Sequence, residues 1–180
     1  MLSSHNVTVI IVCCRFLVGE VDQSSVQTTC LQADETSGAA NLSNIAPGME
    51  DGLSSSQRVP RVTATQWRFT EGAVGSLMHT VALHGKRYES QLEVLMDGLR
   101  MTLYEPYHPE CKLLVRDSRT GSDYEVVHEY GTDDPYETEM KTFLDAVRTK
   151  DRSDIASSYT DAAETYNFTW AVRRAGEKPT

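Results

Sequence analysis

A chain of 180 residues, 39% hydrophobic and 24% charged, can bury a core of its own and lacks the composition of a disordered protein. Its 26 acidic residues against 17 Lys and Arg leave a formal charge of -9. That charge repels phosphate backbones and anionic bilayers, so neither nucleic acid nor a membrane is expected as a partner.

One domain is expected from the length. Near the N-terminus, residues 7–14 form an apolar run continued by Phe16, Leu17 and Val18. Arg15 interrupts it well short of the roughly 20 apolar residues that a spanning helix needs. A secretory signal would place its positive charge before the run rather than after it. The β-branched stretch at 7–12 favours a buried strand, with the start of a buried helix as the alternative. Cys13, Cys14, Cys30 and Cys111 show no paired metal-ligand spacing, and adjacent cysteines rarely bridge each other, so reduced thiols in a cytoplasmic protein are expected. Residues 32–59, rich in Ser, Gly, Ala, Asn and acids, read as a long flexible loop.

From residue 61 to 130 short alternating segments follow one another across tight turns. Thr63, Thr65, Trp67 and Phe69 alternate with Val62, Ala64 and Gln66; Glu71-Gly72 turns the chain, and residues 74–83 return as a second strand. Leu92, Val94 and Met96 lead into Asp97-Gly98, a dipeptide suited to a type I′ hairpin turn, and Leu99, Met101 and Leu103 lead out. Strands are also expected at 111–116 and 124–130, joined by a polar connection containing Gly121. The whole reads as an antiparallel meander.

Helical periodicity then takes over. Asp134 is placed to cap a helix that opens with Pro135, with Glu137 at capping-box spacing, and the helix should run to about Thr149. Its stripe of Tyr136, Met140, Phe143, Leu144 and Val147 is broad enough to cover a sheet face. Ser158 and Asp161 repeat the cap signal for a last helix ending near Gly176. Strands first and helices last predict an α+β fold. Leu77 beside Met78 and Val94 beside Leu95 put apolar residues on both sides of their strands, which is odd for a sheet with one face against water alone.

Side chains able to do chemistry are scattered. His79 and His84 fall on opposite sides of one strand, while His5, His108 and His128 lie in unrelated segments, so no metal site is expected. Tyr104, Tyr107 and Tyr124 at strand ends could line a polar pocket, although such rings more often pack and expose their hydroxyls.

Several segments match a known family in order. Trp67-Arg68-Phe69 is followed by Gly72-Ala73-Val74-Gly75-Ser76-Leu77, then Asp134-Pro135-Tyr136 opens the penultimate helix. Arg148 and Asp151-Arg152-Ser153 come next, and the final helix carries Asp161-Ala162, Thr165-Tyr166 and Trp170-Ala171. Over residues 15–175 the chain resembles the C-terminal domain of the Gfo/Idh/MocA family of NAD(P)-dependent oxidoreductases. On that resemblance residues 1–31 are a remnant of the domain's first helix and strand, 60–176 are its α+β body, and 177–180 form a tail.

The resemblance implies an open, mostly antiparallel sheet with helices on one face and the other face available for subunit contacts, and hydride transfer between NAD(P) and a sugar-like or polyol substrate in complete family members. It also exposes two departures. The Rossmann domain that binds the dinucleotide is not supplied, because Gly72 and Gly75 sit in a hairpin rather than between a parallel strand and a helix. The family's helix of His, Asp and Arg at three-residue spacing keeps only Arg15; Val9 and Val12 stand at the other two positions and cannot transfer a proton. Glu177-Lys178-Pro179 matches the family's lysine motif only by chance, in a terminal tail. No catalytic or cofactor-binding residue is therefore expected, and no cofactor bound by this chain alone. Arg15 and His84 are the candidate substrate-binding residues, Arg15 having a helix surface charge as its plainer reading. The expected function is a substrate-side and oligomerisation domain, inactive in isolation, that associates with itself or with a full-length relative through the sheet face. A non-enzymatic interaction module and a truncated gene product are the alternatives.

Overall fold

In the computed structural model of the chain, the described residues are 5–31, 60–80, 89–106, 109–121, 124–132 and 134–177. Helix α1 (His5–Val18) is followed by strand β1 (Val21–Leu31), then β2 (Val62–Phe69) and β3 (Val74–Thr80). Four further strands follow, β4 (Gln91–Met96), β5 (Leu99–Tyr104), β6 (Lys112–Asp117) and β7 (Val126–Glu129), before α2 (Pro135–Thr149) and α3 (Tyr159–Gly176). The fold is α+β with every strand pair antiparallel.

The strands divide between two sheets, of order β1-β2-β3 and β4-β5-β6-β7. The chain likewise forms two compact units where one domain was expected: residues 1–87 with 157–180, and residues 88–156. The division follows from α3, which returns at the end of the chain to lie across β1, the first strand.

In the first unit, α1 and α3 share one face of the three-stranded sheet. The N-terminal apolar run is helical, against the strand that its β-branched residues favour. Ile11 and Arg15 are buried and Cys14 and Val18 pack against the core, a helical spacing that places all four on one face of α1. Burial of that face outweighs the modest χ1 cost of a β-branched helix. Gly19, at φ 107°, ends α1 by donating its amide to the Arg15 carbonyl at 2.8 Å.

The alternation read along β2 holds. Thr63, Thr65, Trp67 and Phe69 are buried toward the helices, while Gln66 and Arg68 are exposed on the other face. Trp67 makes edge-on contacts with Phe69, at 6.0 Å between centroids, and with Phe168 of α3, at 5.0 Å. The indole lies over Gly75, its cross-strand partner on β3, where any Cβ would overlap the ring. This is a close approach that only glycine permits. His79 of β3 is buried on the same side, and burial lowers its pKa below 6.5.

In the second unit, the Asp97-Gly98 hairpin forms with Met96 opposite Leu99. Of its two turn residues only Gly98 has positive φ, at 71°, so the turn is not the type I′ expected. The polar connection between β6 and β7 contains a short 3₁₀ turn, Ser118–Thr120, capped by Asp117. Asp134 caps α2 by accepting from the amides of Tyr136 and Glu137, as expected. The apolar stripe of α2 covers no sheet, contrary to the sequence reading. Tyr136, Met140, Phe143, Leu144 and Val147 are all more than half exposed, and the half-buried positions of α2 are the small Thr142 and Ala146, on another side of the helix.

Two outcomes follow for the first unit. Gly75→Ala should lower stability by about 1–3 kcal/mol in urea unfolding, because the added Cβ overlaps the buried Trp67 indole. The burial of neutral His79 contributes stability that is complete above pH 6.5 and declines as pH falls through the lowered folded-state value. A pH series of unfolding midpoints should show that decline, and His79→Gln should flatten it.

Candidate functional site

Arg15 is the one family-motif position that keeps its residue, and its surroundings are built by three segments. Its side chain is buried, with the residue 6% exposed, so the reading of a helix surface charge does not hold. Nη2 meets Glu20 Oε1 at 2.6 Å, just past the Gly19 turn. Nη1 donates to the Asp161 carbonyl at 2.8 Å and to Thr165 Oγ1 at 2.7 Å, with Asp161 Oδ1 also at 2.8 Å. The carboxylate of Asp161 is shared: Ser157 donates to its Oδ2 at 2.6 Å, and the Asp161 amide is capped by Ser158 Oγ at 3.1 Å. A guanidinium in this setting has two anions and two neutral acceptors, the kind of satisfaction that a buried charge requires. Chemically the cluster is a clamp between the end of α1 and the first turns of α3.

On the family resemblance, Val9 and Val12 of α1 stand at the positions of the family's histidine and aspartate. Burial raises the pKa of Cys13 and pushes that of Cys14 up to about 11, so both thiols are protonated at neutral pH and are poor nucleophiles. Among the described residues none of the four cysteines is joined in a disulfide. His84, the other candidate substrate residue, lies outside the described residues, as do His108 and Tyr107.

Two open depressions lie on the sheets. On the face of the first sheet away from the helices, a depression of about 370 Å³ is lined by Gln27, Thr29, Gln66 and Ser76, with Ala64 and Met78 among its apolar walls. A Gln66 Nε2 to Gln27 Oε1 bond of 2.9 Å already satisfies part of its polar lining. In the second unit, a cavity of about 490 Å³ is bounded by Tyr104, Glu105, Glu110, Cys111, Lys112 and Glu129. Lys112 stands 5.9 Å from the Tyr104 ring centroid, and Glu105, at φ 49°, closes the β4–β5 pairing by accepting from the Ser90 amide at 2.8 Å. Tyr104 lines this cavity, the less common of the two readings for a strand-end tyrosine, whereas Tyr124 is exposed. Among the described residues no group of three or more His, Cys, Asp or Glu could hold a metal ion, and no helix is long and apolar enough to cross a membrane.

The sequence singled out Arg15 without its partners. Asp161 and Thr165 are four apart and so share a face of α3, a signal that points to a common partner but not to which one. Glu20 follows a glycine stop and gave no signal of its own.

An antiparallel α+β fold ending in two C-terminal helices is the fold of an oxidoreductase C-terminal domain of Gfo/Idh/MocA type. The family described as “Putative oxidoreductase C terminal domain” matches residues 5–99, more than half of the chain, and the chain belongs to that family. The Schizosaccharomyces pombe protein UNK4.17 is 36% identical over 162 residues, covering 89% of this chain and 38% of its own length. A second protein of that yeast is 32% identical over 152 residues, covering 84% of this chain and again 38% of its own. The chain therefore spans under two fifths of the curated relatives it matches.

Among solved structures, a “putative NADPH-dependent oxidoreductase” from Desulfitobacterium hafniense superposes with a TM-score of 0.66 at 14% identity, over 99% of this chain and 46% of that one. The aldose-aldose oxidoreductase of Caulobacter crescentus, solved with glycerol, gives 0.64 at 11% identity over 94% and 43%. The WlbA dehydrogenase of Bordetella pertussis, solved with NADH and UDP-GlcNAcA, gives 0.56 at 12% over 95% and 41%. At these identities the likeness establishes the fold.

Replacing Arg15 by Met should destabilise the chain by about 2–4 kcal/mol in urea unfolding, since it strips the buried Thr165 hydroxyl and the Asp161 carboxylate of their partner. Glu20→Gln should cost less than about 1 kcal/mol, because that carboxylate is 63% exposed.

Proposed function

We propose that this chain is the substrate-side and oligomerisation domain of an NAD(P)-dependent oxidoreductase of Gfo/Idh/MocA type that acts on a sugar-like or polyol substrate, and that it transfers no hydride by itself. The observation that carries the reading is family membership combined with an all-antiparallel set of strand pairs. A dinucleotide is gripped where a parallel strand meets a helix N-terminus across a glycine turn. Here the glycine pair Gly72 and Gly75 belongs to the β2–β3 hairpin, and Gly75 is committed to the Trp67 indole. Valines at the positions of the family's proton-transferring residues support the same conclusion.

The substrate class is carried by the names of similar structures, one solved with glycerol and one with a UDP-linked ligand. In this reading Arg15 acts as a positioning residue: its guanidinium is committed to Glu20, Asp161 and Thr165, and it fixes the helix from which a substrate-side surface is built. His84 is the proposed direct contact. Self-association or association with a full-length relative in the cytoplasm would use the sheet face, where Met78 and Leu95 stand 66% and 70% exposed on their respective sheets. The valines at 9 and 12 favour one second reading, a non-enzymatic interaction module that keeps the same contacts without chemistry.

Titration of the purified chain with NADH and NADPH, followed by nicotinamide fluorescence, should show no saturable binding. Saturable binding of either nucleotide would overturn the proposal that the dinucleotide site lies elsewhere. Addition of a full-length family member should leave its cofactor affinity intact while forming a mixed oligomer that Met78→Asp or Leu95→Asp weakens.

A further inference from the structure

Helix α2 presents an apolar stripe outward on its own. Tyr136, Met140, Phe143, Leu144 and Val147 are 56–63% exposed, and helix propensity does not require any of them, since polar helix formers would serve equally well at exposed positions. A row of five such side chains on one surface helix is the pattern of a helix that meets another apolar surface. The stripe presents roughly 600 Å² per copy, so a two-fold pair would bury about 1,200 Å², the lower edge of the range for specific interfaces.

The charges beside the stripe say which surface fits. Glu137, Lys141 and Arg148 lie along one flank, at about 100°, 140° and 120° around the helix from Tyr136. In an antiparallel two-fold pair the same flank of each helix faces its own copy, so the N-terminal end of one flank lies beside the C-terminal end of the other. Glu137 of one copy then falls beside Arg148 of the second, twice, with the apolar stripes packed between. Among the described residues these groups pair locally, Lys141 at 2.7 Å from Glu137 and Asp145 at 2.7 Å from Arg148.

We infer that α2 is a self-association surface on which a second copy of this chain packs antiparallel, registered by Glu137 against Arg148. This goes beyond the sheet-face contact proposed above and uses different residues, so the two can fail separately. The decisive experiment is sedimentation of the full chain and its variants, with far-UV circular dichroism to check folding; every substituted position is already exposed. The chain should dimerise, and Phe143→Asp should weaken the dimer at least tenfold. E137R and R148E should each weaken it, and an equimolar mixture of the two should restore association as a heterodimer, because both cross-pairs become attractive again. A monomeric chain would overturn the inference. So would a dimer indifferent to Phe143→Asp, which would place association on another surface such as the sheet, or a mixture no tighter than either single variant.

Discussion

A guanidinium that leaves water must be surrounded by acceptors, and Arg15 is surrounded by groups from three places in the chain. Glu20 comes from the turn after α1, while Asp161 and Thr165 come from α3, about 150 residues away in sequence. Because the cation cannot shed its proton, the arrangement tolerates no half-measures: either the end of α1 and the first turns of α3 are together, or a charge is stranded. The caps of α3 contribute to the same end. Ser157 and Ser158 orient Asp161 from both its carboxylate and its amide, so the anion that receives Arg15 is itself held. One arginine thereby determines where the chain's last helix begins relative to its first.

Apolar packing completes what the clamp starts. The buried core of the first unit is small, made of Ile11, Trp67, Phe69, Phe168 and Val172, with one residue from α1, two from β2 and two from α3. Trp67 is its centre, touching Phe168 above and lying over Gly75 beside it. At the far end of α3, Gly176 plays a similar part over Cys30 and Thr28 of β1, where a Cβ would crowd the thiol. The helix is thus seated at both ends against the same sheet, by charge at its start and by close approach at its finish. Such a sheet-and-helix layer explains why a chain split by the long stretch at 32–59 can still close its first unit.

Local signals were legible wherever a short stretch of residues decides its own conformation. The caps at Asp134 and Ser158, the Asp97-Gly98 hairpin and the alternation of Thr63, Thr65, Trp67 and Phe69 all follow from neighbours in sequence. What escaped was decided at a distance. The run at 7–12 is helical because Ile11 and Arg15 find partners on α3, and nothing within the run announces those partners. The α2 stripe had the period of a core face, yet period describes which side chains share a face and not what that face meets. Arg15 was legible as a residue of interest through family likeness. Its buried setting was not, since burial depends on Glu20 and Thr165 arriving from elsewhere.

Function divides along the same line between local and distant determinants. A nucleotide site of the Rossmann kind is a local device, a glycine turn between a strand and a helix, whereas among the described residues Gly72, Gly75 and Gly98 belong to hairpins and Gly19 and Gly176 to helix ends. Substrate recognition in a two-domain oxidoreductase is a distant device, assembled from surfaces that meet only in the assembled protein. In the reading proposed above, a chain that spans under two fifths of its relatives would hold one side of such a surface. The buried clamp would then serve without touching substrate, because a fully partnered guanidinium stiffens the α1–α3 pair before anything binds. On the family resemblance, Val9 and Val12 stand at the proton-transfer positions while Arg15 keeps its residue, and the contacts of Arg15 are architectural.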